Sequence, residues 1–226
     1  MDKTYQFKKI STLGLWIKRL FGLWALIEIF ALLFSFMQYQ LLTQDAYTSR
    51  EANANEVRQI AIVTVELLVY LCASILFLVW VYRVNVNVRV MGAVGLRISP
   101  GWSVGFFFIP IFNLWKPYQA MNEVWWASKN PNDWEQKKNQ ESSVVGRWWF
   151  FWLITLFGDN ASNQLWKKAT ELSVMQNLSL MDIAISVLTI FSCYTAFIMV
   201  EHVTEIQTQV QSRRENDYKN CLFYIQ

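Results

Sequence analysis

Two acidic side chains sit inside apolar sequence where chemistry would be costly to place by accident. Glu66 interrupts the run 60–82, and Asp159 interrupts 148–166. An ionised group near the centre of a membrane helix costs about 2.5–3.5 kcal/mol on insertion scales, so its default reading is functional. If both runs cross a membrane, Glu66 lies six residues from the outer end at position 60 and Asp159 eight from Lys167, depths of roughly 9 and 12 Å at the helical rise. Asn160 and Asn163 flank Asp159. The four residues are expected to form an acidic cluster open to the external face, suited to a cation, a proton or a basic partner. The blander alternative is that they hydrogen-bond between helices or reach external water.

Glu28 is the one charged residue inside the run 21–42. Arg83 and His202 belong to the same half of the membrane, and either is expected to pair with it as a structural ion pair rather than a proton relay. His202 is the only histidine, and one imidazole supplies neither a two-histidine haem nor a typical zinc centre. Cys72, Cys193 and Cys221 follow no ligand spacing. The sequence holds no Gly-rich phosphate loop, no zinc-hydrolase helix motif and no nucleophile elbow. No cofactor and no metal are expected.

The elements that must carry these residues are helices in lipid. Charged residues make up only 16% of the 226 positions and hydrophobic ones 54%, too little polar surface for a soluble domain. Net charge is +3, too modest for nucleic acid. The expected fold is all-α and polytopic: one membrane domain, 1–226, with spans at about 21–42, 60–82, 148–166 and 183–203. Helix is expected from Ser11, 43–59 reads as a short external loop, Asp182 as the cap of the last span, and 204–226 as a cytoplasmic helical tail. Sixteen of the 20 Lys and Arg fall in 1–19, 83–147 and 204–226, which puts both termini and the middle segment in the cytoplasm. Arg83-Val-Asn-Val-Asn-Val-Arg-Val alternates like a strand. A lone strand beside a membrane has no partner, so this stretch is read as helix running on to Gly92 and Gly95.

Between positions 99 and 128 the chain is strongly aromatic yet carries Pro100, Pro110 and Pro117. Interior prolines forbid one straight helix. The 14 residues from Trp102 to Trp115 reach roughly 21 Å as helix, short for a span, and Arg97 and Lys116 flank them with positive charge. Ser99 is placed as N-cap with Pro100 at the first helical position and Gly101 behind it. Pro110 breaks that helix, and Asn113 is placed as cap of a second. In the second helix Leu114, Tyr118, Met121 and Trp125 make an apolar face, with Lys116, Gln119 and Glu123 directed elsewhere. The expected form is a re-entrant or interfacial helical hairpin on the cytoplasmic side, packed against the spans because irregular backbone at membrane depth needs cover. The residues 129–143 read as a polar surface loop.

Taken together, Phe77-Leu-Val-Trp-Val-Tyr-Arg, Asn87, Gly92, Gly95-Leu-Arg-Ile-Ser-Pro-Gly-Trp-Ser-Val-Gly, Phe108-Ile-Pro-Ile-Phe-Asn-Leu-Trp-Lys-Pro-Tyr-Gln-Ala-Met, Glu123-Val-Trp and Trp148-Trp resemble a bacterial membrane-protein family, domain of unknown function 4328. The resemblance implies a multi-span protein of the bacterial inner membrane and brings no catalytic or binding residues with it. Three functions then stand in order. The first is a non-enzymatic interaction or regulatory module working through the hairpin and cytoplasmic loop. The second is a small transporter or channel subunit using the hairpin and the acidic cluster. The third, an intramembrane enzyme, lacks a nucleophile–base pair. The expected partners are the lipid bilayer and, beyond it, a membrane-protein partner or further copies of the chain.

Overall fold

The computed structural model describes residues 5–137 and 142–223, with side chains through 217. It is all helical, and the described residues hold no strand. Seven helices follow in order: α1 Ser11–Leu42, α2 Ser49–Val90, α3 Pro100–Gly105, α4 Lys116–Lys129, α5 Trp134–Lys137, α6 Ser143–Trp166 and α7 Leu172–Phe223. Two 3-10 turns, Phe106–Phe108 and Phe112–Leu114, lie between α3 and α4. Among the described residues α1, α2 and Leu172–Asp217 of α7 are long and apolar enough to cross a membrane. The expected third span falls on α6, which is not among those three and ends in the polar Gly158-Asp-Asn-Ala-Ser-Asn.

The helix ends follow local chemistry. α1 starts at Ser11 as expected. α2 begins eleven residues before position 60, so most of the expected loop 43–59 is helix. The cause is a reciprocal cap: the Thr48 amide donates to Glu51 Oε2 at 2.7 Å and the Glu51 amide donates to Thr48 Oγ1 at 3.3 Å. The Asn-Val alternation is helical to Val90, where the Gly92 amide meets Arg89 O at 3.1 Å and the Ala93 amide meets Val88 O at 3.0 Å. That paired closure needs a left-handed residue, and Gly92 has φ 104°. α7 runs unbroken from Leu172, so Asp182 lies inside a helix and caps nothing. Residues 138–141 and 224–226 of the expected loop and tail lie outside the described residues.

Contacts divide the chain into two compact units. One comprises Arg19–Ala73 and Arg147–Ala196, four helical segments from α1, α2, α6 and α7. The Trp24 ring meets Tyr70 edge-on at 5.4 Å to join α1 to α2, and Phe151 stacks on Phe191 at 5.6 Å to join α6 to α7. Side-chain amides tie the ends: Gln59 donates to Phe34 O at 3.3 Å and Gln176 to Leu42 O at 2.7 Å.

The other unit comprises Met1–Lys18, Ser74–Gly146 and Phe197–Gln226, and contains the proline-rich hairpin. Its core is the end of α2. Val84, Val86 and Val88 are buried together with Asn85 and Asn87, so this stretch has neighbours on every side. A helix enclosed all round shows no 3.6 periodicity, which is why it mimics a strand on paper. At Gly14, α1 comes so close to α7 that an added Cβ would stand 2.7 Å from Thr204 Oγ1.

Candidate functional site

In the four-helix unit, four carboxylates interrupt the apolar stretches: Glu28 of α1, Glu66 of α2, Asp159 of α6 and Asp182 of α7. Glu66 lies in the electrostatic field of both Glu28 and Asp159, and Asp159 in that of Asp182. Two acids that sequence reasoning assigned elsewhere, Glu28 and Asp182, therefore act electrostatically on Glu66 and Asp159. Glu28 is buried and accepts from Trp24 Nε1 at 3.0 Å and from the Ser186 hydroxyl. Asp182 accepts from the Ser162 hydroxyl and, at 2.8 Å, from Trp166 Nε1. Glu66 differs: its Oε1 is out of reach of solvent and has no hydrogen-bond partner among the described residues. Asn160 turns back to Leu156 O at 2.6 Å, and Asn163 is exposed. Among the described residues no three His, Cys, Asp or Glu side chains gather closely enough to hold a metal ion. Such a group of acids can take up a proton or attract a hydrated cation without ligating it directly.

Of the two partners proposed for Glu28, Arg83 donates to Lys9 O at 2.9 Å. His202 pairs its Nδ1 with Ile198 O at 3.0 Å and lies 5.9 Å from the Trp125 ring.

The hairpin is built as two short legs around a tip. Ser99 caps α3, its Oγ accepting from the Trp102 amide at 3.4 Å, with Pro100 in the first turn. Asn113 does not cap α4, and its Oδ1 is buried without a hydrogen-bond partner among the described residues. α4 begins instead at Lys116, one residue before Pro117, because a proline in the first turn forfeits only an amide that has no helical acceptor there. Phe107 meets Phe77 of α2 at 6.3 Å, which gives the hairpin the expected support. At the tip the apolar side chains turn outward: Phe108 is 71% exposed and Ile111 69%, with Pro110, Phe112, Leu114 and Trp115 exposed beside them. Pro117 is buried, Tyr118 half-buried, and Gln119 accepts from Lys116 Nζ at 3.1 Å.

Beneath the hairpin lies a polar layer that sequence reasoning missed. Asn87 Oδ1 accepts from the Lys8 amide at 2.7 Å, and its Nδ2 donates to Lys8 O at 2.9 Å and to Gln207 Oε1 at 3.0 Å. Gln207 Nε2 in turn donates to Ser128 Oγ at 2.9 Å and Val84 O at 3.2 Å. Glu123, expected off the apolar face of α4, is buried and accepts from the amides of Arg97 and Ile98 at 3.1 and 3.4 Å. Burial raises its carboxyl above the ordinary range, against the lowering effect of those two amides and of Arg97 and Arg89. Arg89 Nη2 and Asn85 Nδ2 both donate to Ile98 O, at 2.8 and 3.4 Å. The bonds to Arg97 and Ile98 fix the loop that launches the hairpin, and those of Asn87 and Gln207 tie the N-terminal segment, α2, α4 and α7 together. Their signal was on the page as Asn85, Asn87 and Glu123, polar residues within apolar stretches.

A family model described as "Domain of unknown function (DUF4328)" matches residues 43–205, well over half of the chain. The chain belongs to that family. No curated protein and no solved structure matches it. The matched range takes in the hairpin, Asn87, Glu123, Gln119, Glu66, Asp159 and His202, while Glu28 and Gln207 of this DUF4328 member lie outside it.

Proposed function

We propose that the chain is a four-span protein of the bacterial inner membrane, α6 being the fourth span, and that it works by binding rather than by turnover. Both termini and 83–147 lie in the cytoplasm, a reading supported by the crowding of Lys and Arg into those segments. The hairpin enters the inner leaflet and leaves by the same face. Its partners are lipid and a second membrane protein or further copies of the chain. The observation that carries this reading is the tip: Phe108, Ile111, Phe112, Leu114 and Trp115 point out of the fold while the polar layer below them is fully bonded. An exposed apolar patch of that kind marks a membrane or protein contact. In a chain stripped of Cys72, Cys193 and Cys221, Gly101→Cys and Lys129→Cys should react with an impermeant thiol reagent from the cytoplasmic side alone. A label at Phe108→Cys should be quenched by brominated acyl chains. Reaction of Gly101→Cys and Lys129→Cys from opposite sides would overturn the hairpin topology, and an unquenched label would overturn insertion.

A second reading rests on the unbonded Glu66 Oε1 in the electrostatic field of two other acids, Glu28 and Asp159. It makes the four-helix unit the proton- or cation-handling part of a small transporter or channel subunit. Proton or monovalent-cation flux in proteoliposomes that disappears in Glu66→Gln supports it; flux unchanged by that substitution, or absent from the wild type, removes it.

A further inference from the structure

A groove of about 550 Å³ runs beside the first leg of the hairpin, lined by Tyr5, Tyr82, Ser99, Gly101 and Trp102 among others. Its outer wall is the extended segment before α1, which stays in place because Asn87 grips Lys8 through two bonds and Arg83 holds Lys9 O. Lys8 and Lys9, with exposed side chains, follow Tyr5 along that segment, and Arg83 follows Tyr82 in α2. Charge there is one-sided. The segments 5–19 and 74–115, which supply every wall, contain no Asp or Glu. Two acids of the same unit are committed elsewhere, Glu123 to the amides of Arg97 and Ile98 and Glu201 to Lys18 at 2.8 Å. The lining offers hydrogen-bond donors as well as aromatic faces. The Ser99 oxygen already accepts from the Trp102 amide, which leaves its proton to donate outward, and Tyr82 and Trp102 are 41% and 55% exposed. At Gly101 an added Cβ would meet nothing within 4 Å, so the cleft floor is open.

We propose that this groove seats the headgroup of an anionic phospholipid from the leaflet that receives the hairpin tip. The phosphodiester takes hydrogen bonds from the Tyr5 and Tyr82 phenols and the Ser99 hydroxyl. Lys8, Lys9 and Arg83 supply the countercharge, and the Trp102 face lies along the glycerol and upper acyl region. Trp102 belongs both to this groove and to the outward apolar face of the hairpin, so the site continues the surface assigned above to lipid. The inference rests on that assignment.

The test is native mass spectrometry of the full-length protein released from micelles containing equal phosphatidylglycerol and phosphatidylcholine. The wild type should retain phosphatidylglycerol about fivefold over phosphatidylcholine, the factor that one basic residue near a membrane surface supplies. Gly101→Leu, which fills the cleft from open space, should bring the ratio to parity. Lys8→Gln combined with Lys9→Gln should do the same while leaving the backbone bonds to Asn87 and Arg83 intact. Parity in the wild type overturns the proposal, and so does a preference that survives the paired lysine change or a folded Gly101→Leu. Quenching of a label at Phe108 reports tip insertion independently. An inserted tip without headgroup preference defeats this site alone, and a tip left in water defeats the surface assignment.

Discussion

Asn87→Ala should unfold the hairpin unit well before the rest of the chain. The substitution removes three hydrogen bonds at once, those to the Lys8 amide, Lys8 O and Gln207 Oε1. Lys8 is exposed and water can replace part of its loss. Gln207 is fully buried, its Nε2 stays engaged by Ser128 and Val84, and its Oε1 is left with no donor. An orphaned buried polar atom costs about 1–3 kcal/mol, and the cavity left by the amide adds to it, so a loss of about 2–5 kcal/mol is expected. For a chain of this length that lowers the melting temperature by on the order of 10 °C. The assay is thermal unfolding of the purified protein in detergent, followed by tryptophan fluorescence. A double-mutant cycle with Gln207→Ala separates hydrogen bonding from packing. Removing Gln207 also removes the orphaned oxygen, so the double variant should lose at least about 1 kcal/mol less than the sum of the singles. An Asn87→Ala protein that melts with the wild type, or a cycle in which the two losses simply add, would refute the claim that this layer holds the hairpin in place.

Gly95→Ala should lower the melting temperature and make the 92–98 loop more susceptible to proteolysis, because Gly95 has φ 73° and the new methyl would fall on the Glu135 carboxylate. Gly14→Ala should weaken the α1–α7 contact by displacing Thr204, whose hydroxyl accepts from Trp80 Nε1 at 3.0 Å. The check is a red-shifted tryptophan emission together with a lower melting temperature. Glu123 gives a pH signature. Its carboxyl is raised by burial, so the folded chain binds the proton more tightly than the unfolded chain does. The ionisation penalty is absent below the ordinary value of 4.5 and complete above the folded value, so wild-type stability declines as pH rises through that interval. Glu123→Gln keeps an acceptor for the Arg97 and Ile98 amides and removes the titration, so the gap between variant and wild type should move in the variant's favour from pH 4 to pH 7. Parallel stability profiles would contradict it.

The parts of the fold that sequence made legible are those decided within a few residues. Ser99-Pro100 announces a helix start because cap and ring act on the next turn, and Gly92 marks a helix end because a left-handed residue is needed there. The errors share a different cause. Asp182 resembles a cap because it precedes an apolar run, but its carboxylate is held by Ser162 and Trp166 of another helix. Glu123 was set apart from the packed face by an amphipathicity argument that allows a helix only one such face, whereas α4 has the Arg97–Ile98 amides on one side and, through Ser128, Gln207 on another. The same arithmetic made the Val84–Val88 stretch resemble a strand. Helical periodicity measures an asymmetry of surroundings, so it fades where a helix is enclosed, and the hairpin unit is built around enclosed segments. The four-helix unit is the opposite case. Its acids could be sought from depth alone, because a carboxylate in an apolar run keeps its meaning whatever surrounds it, and Glu66 and Asp159 were singled out on that ground. Local chemistry thus marked where helices start and stop. The polar layer on which the hairpin rests joins residues up to 120 positions apart, and only the folded chain reveals it.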